Sequence, residues 1–292
     1  MTRAMSPEEQ ARSGVYVEML RGFGQPGKVC KLKKSLYGLK NSPRNWFKML
    51  SGSLQAIGFE SAQDVDPCLF ISEKVICLTY VDDCIFIAKY EKDIDKVIKL
   101  LRERNFELEE EADYVGFLGI DIERAKTHIK FTQKGLTNRM IEALQIDHLP
   151  PVATPATEVL GKDPDGDPPE CAFNYASVVG MLWYLTNNSR PELTFAVSQA
   201  ARFSFCHKRC HELALIRIGQ YLKGTKDKGL LMIPIKTDTF IMDAYVDSDF
   251  LGIYGKEHRA DPDNVRSCTG YVIQVNGCPV TWSSHLQASV MS

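Results

Sequence analysis

Two adjacent carboxylates, Asp82 and Asp83, lie between two apolar runs of the sequence. The runs, Val75 to Tyr80 and Cys84 to Ala88, are mostly β-branched and apolar, which predicts two buried strands and a β-hairpin with both aspartates at its tip. Aspartate favours turns because its side chain hydrogen-bonds nearby backbone groups. A tight hairpin turn prefers glycine, however, and adjacent anions repel each other unless a divalent cation is bound. A plain turn and a metal site therefore both fit the pair.

A second set of acids occupies alternate positions of one predicted strand, Ile241 to Phe250. Asp243, Asp247 and Asp249 would share one face of it, because side chains alternate along a strand. Such a face suits a metal edge, but acidic alternation also marks a solvated outer face. The residues alone leave both interpretations open.

The densest group of cations lies between residues 28 and 44, which we call the basic segment. Tyr37 and Trp46 accompany these charges, and the mixture suits phosphate contacts beside stacking surfaces. A solvated lysine face is the alternative. The whole chain has a formal net charge of -2, so a nucleic-acid surface would have to be local. The cations are Lys28, Lys31, Lys33, Lys34, Lys40 and Arg44.

Hydrophobic periodicity predicts helices and strands along the whole chain. We expect helices at 43–57, 91–104, 133–144, 174–188, 191–205 and 211–223, and strands at 117–123, 128–131, 230–234 and 241–250 besides the hairpin. The first helix has Ser42 as its expected N-cap, Pro43 in its first turn and Gly58 as its stop. Helices on one side of a mostly antiparallel sheet predict an α+β fold.

Proline, glycine and acidic residues dominate residues 147–172, which predicts a linker without helix or strand. Nine cysteines without a repeated spacing indicate reduced thiols. The cluster Cys206 to His211 lacks a second, distant pair of ligands, so we interpret it as ordinary residues at a helix end rather than as a zinc site. No apolar run reaches the roughly 18 residues of a membrane span, and the N-terminus lacks a signal peptide's apolar centre, which predicts an intracellular protein of the cytoplasm or nucleus.

Four blocks of the sequence, in order, resemble the reverse transcriptases of Ty1/copia-type retrotransposon polyproteins. The hairpin contains Y-V-D-D at residues 80–83, similar to the catalytic signature of that class. Residues 31–46 read K-L-K-K-S-L-Y-G-L-K-N-S-P-R-N-W, similar to its "LKKSLYGLKQSPRxW" block, and F-L-G-I at 117–120 and Y-L-K-G-T at 221–225 follow downstream. Near the end of the chain, Y-V-D-S-D-F-L-G, R-S-C-T-G-Y and T-W-S-S resemble the start of the class's ribonuclease H domain.

The resemblance implies an RNA-directed DNA polymerase that adds dNTPs by two-metal phosphoryl transfer with Mg²⁺ or Mn²⁺. Asp82 and Asp83 would be catalytic metal ligands, and Asp247 would be a metal ligand of the ribonuclease H part. The block beside the incoming nucleotide would contribute Tyr37, Gly38 and Lys40. The RNA template and DNA primer would contact the basic segment and the primer-holding block, through Lys31, Lys33, Lys34, Arg44, Phe117, Leu118 and Gly119.

The same resemblance predicts four segments: a palm/fingers-like reverse transcriptase at 1–146, the linker at 147–172, a helical connection at 173–236 and the N-terminal part of a ribonuclease H-like α/β domain at 237–292. The third polymerase aspartate of the class would fall just ahead of Met1 and its ribonuclease H glutamate just beyond Ser292, so both sites are expected to be incomplete and the rest of the polyprotein to be a partner. The alternative is a catalytically inactive remnant that at most binds nucleic acid. Apolar residues after about Thr237 should be exposed or covered by the connection helices.

Overall fold

The computed structural model describes residues 15–19, 22, 27–110, 116–249 and 266–288. The chain forms two compact units, Met1–Glu110 and Glu111–Ser292. Both units combine helices with sheets, and every described strand pair is antiparallel. The predicted mixture of helices and antiparallel sheet is therefore confirmed. Within the described residues, no helix combines the length and the apolar character needed to cross a membrane.

The first unit is built on a four-stranded sheet in the order β3-β4-β5-β6. Its strands are β3 (Glu60–Ser61), β4 (Leu69–Ile71), β5 (Val75–Tyr80) and β6 (Asp83–Ala88). A separate short ladder joins β1 (Tyr16–Val17) to β2 (Cys30–Lys31). The predicted hairpin is thus confirmed as β5 and β6, which pair along their full lengths.

Two helices pack against one face of this sheet, α1 (Ser42–Ala56) and α2 (Glu91–Glu103). Leu54 of α1 and Leu101 of α2 are buried against Phe70 and Cys77 of the sheet. Side chains alternate along β5: Val75, Cys77 and Thr79 are buried, whereas Ile76, Leu78 and Tyr80 are exposed. The prediction that both hairpin arms are buried strands is wrong: β5 is buried on one face only and β6 is at most half-buried, because the helices of this unit cover one face of the sheet.

The start of α1 differs from the prediction by one residue. The N-cap is Asn41 and makes no side-chain capping bond, while Ser42 is already helical. The Ser42 hydroxyl instead donates to the carbonyl of Leu36 at 2.5 Å, which ties the helix to the preceding segment. The helix ends at Ala56, and Gly58 follows with φ +97°, so the predicted glycine stop is confirmed.

The core of the second unit lies between four helices, α3 (Lys134–Leu144), α4 (Tyr175–Asn188), α5 (Thr194–Ala201) and α6 (Arg209–Gly224). Met140, Leu182, Val197 and Leu215, one from each helix, are fully buried there. The helices agree with the predictions within a few residues, except in the predicted span 191–205. There a 3₁₀ turn (Pro191–Leu193) precedes α5, and after Ala201 the backbone tightens into bonds between residues three apart, such as that from Phe203 to Ala200.

A three-stranded sheet of this unit contains β7 (Asp121–Arg124), β8 (Ile129–Thr132) and β9 (Leu230–Met232). The strand predicted to begin at residue 117 begins at Asp121 instead. Phe117 and Ile120 exchange backbone hydrogen bonds of 2.9 and 3.0 Å, which close a turn and so delay the strand. Strand β9 joins the edge of this hairpin, where Leu230 pairs with Phe131, 99 residues earlier in the chain.

Residues 147–172 contain neither helix nor strand, as predicted. They do not form an extended spacer, however, because Leu149, Val152, Ala156 and Leu160 pack against the helical core. The division between the two compact units lies at Glu110 and Glu111, ahead of this segment. The division of the chain into four functional segments stays a prediction.

The last sheet contains β10 (Met242–Ser248), β11 (Cys268–Val275) and β12 (Cys278–Leu286) in that order. Strand β12 lies against the helices, where the Trp282 indole donates to the carbonyl of Thr186 in α4 at 2.8 Å. Tyr245 and Val246 of β10 remain exposed. Both expected outcomes for apolar residues of this region, borrowed cover and exposure, therefore occur.

Candidate functional site

The two carboxylates occupy different positions in the hairpin. Tyr80 pairs with Asp83 as the last rung of the ladder, so Val81 and Asp82 form the two-residue turn and Asp83 is the first residue of β6. Both aspartates are exposed to solvent. The prediction that both lie at the tip is thus corrected by one residue for Asp83, because the strand pairing extends further than the apolar pattern indicated.

Val81 has a backbone conformation that is unfavourable for its side chain. Its φ is +53°, whereas Asp82 is not among the described residues with positive φ. Positive φ at the first turn position only is typical of a type II′ turn, in which glycine is preferred there. A left-handed conformation costs a non-glycine residue about 1–2 kcal/mol, and more is expected for a β-branched one. Other contacts must therefore hold the turn.

One such contact comes from Trp46 in α1. Its indole Nε1–H donates to the carbonyl of Val81 at 2.5 Å. The Trp46 ring itself is held edge-on against Phe106, with 6.0 Å between the ring centroids. The turn is therefore connected to the helix that follows the basic segment.

The second contact joins the two blocks of residues that the sequence predicted to act together. The Tyr37 hydroxyl donates a short hydrogen bond to Oδ2 of Asp82. This bond, with smaller effects from desolvation and the carboxylate charge, raises the pKa of Tyr37 above its usual range, so the phenol stays protonated as a donor. Tyr37 thus orients one of the two carboxylates.

The segment around Tyr37 is shaped by a tight turn. Gly38 has φ +85°, and the Leu39 N–H donates to the carbonyl of Leu36 at 3.3 Å. A Cβ on Gly38 would meet no atom within 4 Å, so the backbone conformation, rather than crowding, requires glycine here. Lys40 follows and is exposed. The three residues predicted beside a nucleotide therefore lie on the same exposed turn, with Tyr37 reaching the hairpin.

The hairpin also contains a pair of thiols that the sequence pattern did not predict. Cys77 of β5 and Cys84 of β6 face the core of the first unit and interact with each other. The hydrogen bond with Cys84, then burial, raises the pKa of Cys77, while the same bond lowers the pKa of Cys84. The sequence signal for this pair is that both cysteines occupy inward-facing positions of their strands. The register of the hairpin places these two positions next to each other on one face.

The basic segment presents its cations to solvent. All six are exposed, and none of them forms an ion pair with another described residue. Lys31 lies in β2, and Arg44 lies in the first turn of α1. The predicted phosphate-binding residues are thus available on the same unit as the aspartates.

The predicted primer-holding block belongs to the second unit. Leu118 and Gly119 have φ of +55° and +74°, the pattern of a type I′ turn between Phe117 and Ile120. The hydroxyl of Tyr184 in α4 donates to the carbonyl of Leu118 at 2.5 Å and so fixes the turn on the helices. The block is therefore a rigid turn and not part of a strand.

The predicted ribonuclease H acid also lies in the second unit. Asp247 is near the end of β10, opposite Gly270, and is exposed, with one carboxylate oxygen accepting the N–H of Ser248 at 2.9 Å. The Asp249 carboxylate accepts a short hydrogen bond from the backbone N–H of Cys268. Asp249 is therefore used in joining β10 to β11, while Asp247 remains accessible.

Comparison with known proteins identifies the family. The family model described as reverse transcriptase (RNA-dependent DNA polymerase) matches residues 8–158, which include both blocks at the hairpin. The chain belongs to the Ty1/copia-type reverse transcriptase family. The retrovirus-related Pol polyprotein from transposon RE2 of Arabidopsis thaliana is 30% identical over 95% of this chain, and the corresponding polyprotein from transposon TNT 1-94 of Nicotiana tabacum is 30% identical over 94%.

The chain corresponds to a part of these polyproteins. It spans 19% of the RE2 polyprotein and 21% of the TNT 1-94 polyprotein. A putative transposon Ty5-1 protein of Saccharomyces cerevisiae is 25% identical over 92% of this chain and is itself covered to 87%. No solved structure matches the chain. The chain is thus similar to the reverse transcriptase part of a Pol polyprotein.

Proposed function

We propose that this chain carries part of the active site of an RNA-directed DNA polymerase, in which Asp82 and Asp83 hold Mg²⁺ or Mn²⁺. The observation that carries the proposal is the hydrogen bond from Tyr37 to Asp82, which joins two family blocks 45 residues apart. A carboxylate pair on a strained, tethered turn is a feature of functional sites more than of ordinary hairpins.

The residues at the turn fit such a metal ion. Mg²⁺ and Mn²⁺ prefer carboxylate oxygens and keep several water ligands, and both aspartates are exposed. Tyr37 occupies one oxygen of Asp82 as a donor, which leaves lone pairs on the same carboxylate for an ion. When bound, metal ions in this position would activate the primer 3′-hydroxyl and stabilise the leaving pyrophosphate. Trp46 and Tyr37 would keep the ligands in place.

The neighbouring residues account for the other substrates. Gly38 and Lys40 lie on the turn beside Tyr37, where a dNTP would approach, and the exposed cations of the basic segment suit the phosphates of an RNA template and DNA primer. In the second unit, the turn at Leu118 would hold the primer. Asp247 would serve a ribonuclease H-like site formed together with other parts of the polyprotein.

The second candidate is a catalytically inactive remnant that binds nucleic acid. The six exposed cations of the basic segment support it, because phosphate binding requires only such charges and no metal. The two candidates differ in one respect. A polymerase needs the carboxylates for nucleotide addition, whereas binding of an RNA–DNA hybrid would not depend on them.

The experiment measures Mn²⁺ binding by the full chain together with extension of a primed RNA template. Asp82→Asn should weaken Mn²⁺ binding about tenfold or more, because it removes a charged ligand while the amide stays similar in shape. The matched control is Asp95→Asn, an exposed acid on α2, which should leave binding unchanged.

Primer extension by the unaltered chain, together with its loss in Asp82→Asn, would support the polymerase. Hybrid binding that is equal in the chain and in Asp82→Asn, together with Mn²⁺ binding that Asp82→Asn does not weaken, would support the remnant. Mn²⁺ binding that is the same in Asp82→Asn, Asp83→Asn and the control variant would contradict the metal site.

A further inference from the structure

Three side chains with metal-binding atoms meet in the second unit. Cys171 lies at the end of the irregular segment, His207 precedes α6, and Glu212 lies in the first turn of α6. Their sulfur, nitrogen and oxygen atoms all lie within 4.8 Å of one another. Of the sequence cluster from Cys206 to His211, only His207 belongs to this group, and the fold adds Cys171 and Glu212 to it.

Glu212 is fully buried and is held in one position. Its carboxylate accepts the backbone N–H groups of Glu170 and Cys171, both at 2.9 Å, and Arg209 Nη1 at 3.1 Å. These three bonds lower the pKa of Glu212 below its usual range even though burial alone would raise it. Oε1 accepts only the bond from Cys171 among these, which leaves a lone pair for a further partner.

His207 has its ring nitrogens available. In the described part of the chain, neither nitrogen of His207 has a hydrogen-bond partner, whereas the ring is stacked on Tyr175 with 4.3 Å between centroids and 13° between planes. His211, by contrast, uses both nitrogens, one with the N–H of Lys208 and one with the carbonyl of Gly161, each at 2.7 Å. The two histidines of the cluster therefore differ: His211 caps the helix, while His207 is oriented but unused.

Cys171 provides an entry route for an ion. It is exposed, and its backbone has φ +56°, which is held by the bond from its N–H to Glu212. Bound Zn²⁺ lies about 2.0–2.3 Å from such ligands, so tetrahedral ligand atoms are about 3.3–3.8 Å apart. Binding would thus need any two of these atoms to approach by no more than about 1.5 Å, and rotation of the exposed Cys171 side chain can bring its sulfur closer to the other two.

The charges around the cluster favour a divalent cation. Arg209 pairs with both Glu170, at 3.0 Å, and Glu212, so two carboxylates face one guanidinium and leave one negative charge. Metal binding releases the proton of the cysteine thiol and adds a second negative charge. A dipositive ion would neutralise the group.

We propose that Cys171, His207 and Glu212 form a Zn²⁺ site with water as the fourth ligand. A thiolate and an imidazole select a borderline-soft ion such as Zn²⁺ over Mg²⁺ or Mn²⁺. The ion would fasten the irregular segment that ends at Cys171 to the start of α6. This site is independent of the proposed polymerase site, because it shares no residue with it.

The test uses the metal-free full chain under reducing conditions, with Zn²⁺ measured by competition against a chromophoric chelator and Co²⁺ as a spectroscopic probe. We expect one tight site per chain, a thiolate-to-cobalt charge-transfer band, and a higher thermal unfolding midpoint with Zn²⁺. Cys171→Ser and His207→Phe should each weaken binding by more than about tenfold and abolish the shift of the midpoint. Phenylalanine keeps the stacking on Tyr175, and Cys171 is exposed, so both variants should fold.

Cys206→Ser is the matched control, since Cys206 is an exposed thiol adjacent to His207 whose sulfur is not in the group. It should bind Zn²⁺ like the unaltered chain. Failure of the unaltered chain to bind Zn²⁺, or binding that survives both Cys171→Ser and His207→Phe, would overturn the proposal. Loss of the cobalt band in Cys206→Ser but not in Cys171→Ser would overturn it as well, because the thiolate ligand would then be the wrong one.

Discussion

Replacement of Trp46 by phenylalanine removes one hydrogen bond from the turn that carries Asp82 and leaves most of the surrounding packing in place. The bond runs from the indole N–H to the carbonyl of Val81 at 2.5 Å. Phenylalanine can still pack against Phe106, whose ring centroid is 6.0 Å from that of Trp46. The variant therefore isolates the tether from the hydrophobic contact.

The expected cost follows from the surroundings of the acceptor. A hydrogen bond within a protein contributes about 0.5–1.5 kcal/mol net, and more when its loss leaves a buried partner unsatisfied. Val81 is 58% exposed, so water can replace the indole, and the cost should be about 0.5–1 kcal/mol. The left-handed conformation of Val81, with φ +53°, adds to the tendency of the released turn to open.

The measurement is amide hydrogen exchange of peptides that cover residues 75–88, because the two compact units need not unfold together. A loss of about 0.5–1 kcal/mol corresponds to about two- to fivefold faster exchange in the hairpin. Trp183→Phe is the control, since the Trp183 indole has no hydrogen bond within the described residues. It should leave exchange at 75–88 unchanged.

Two results would refute this reasoning. Unchanged exchange at residues 75–88 in Trp46→Phe would mean that the tether does not hold the turn. An equal acceleration in Trp183→Phe would mean that the effect is not specific to the bond with Val81.

Three further predictions concern the basic segment and the second unit. Replacing the three lysines between residues 31 and 34 with alanine should reduce the slope of log affinity against log salt for an RNA–DNA hybrid by about 2 to 3; an unchanged slope would assign binding elsewhere. Trp282→Phe should lower the free energy of unfolding of the second unit by about 1–3 kcal/mol, because the carbonyl of Thr186 near the end of α4 loses its partner. Urea unfolding measures this, and a loss below about 0.5 kcal/mol would contradict it. Gly219→Ala should be about 1–3 kcal/mol less stable than Gly180→Ala. A Cβ at Gly219 would lie 2.5 Å from the Leu144 side chain, whereas a Cβ at Gly180 would meet nothing within 4 Å. Equal thermal stability of the two variants would contradict this prediction.

The sequence alone was sufficient for the elements that depend on local pattern. The apolar runs around Asp82 and Asp83 predicted a hairpin, and the structure contains it as β5 and β6. The spacing of apolar residues likewise predicted the helix that ends before Gly58, whose φ of +97° accounts for the stop. Such features follow from interactions between residues close in the chain, which the order of residues states directly. The resemblance of ordered blocks then identified the family, which the comparisons confirm.

The register of the hairpin needed the structure. The pairing of Tyr80 with Asp83 leaves Val81 and Asp82 in the turn, and it sets Cys77 beside Cys84. A shift by one residue would reverse which side chains face the core, so the register depends on the helices that cover one face. The apolar run of β5 does not indicate that helices cover only one face of the sheet.

Contacts between distant residues were also decided only by the tertiary structure. Tyr37 meets Asp82 across 45 positions, and Trp46 meets Val81 across 35. The sequence placed Cys171 in a linker and His207 at a helix end, and nothing in their local patterns relates them. They meet because the irregular segment packs its apolar residues onto the helical core and because buried Glu212 binds the backbone at Cys171. Long-range packing of this kind depends on the whole unit, and it brings together side chains whose spacing along the chain carries no periodic signal.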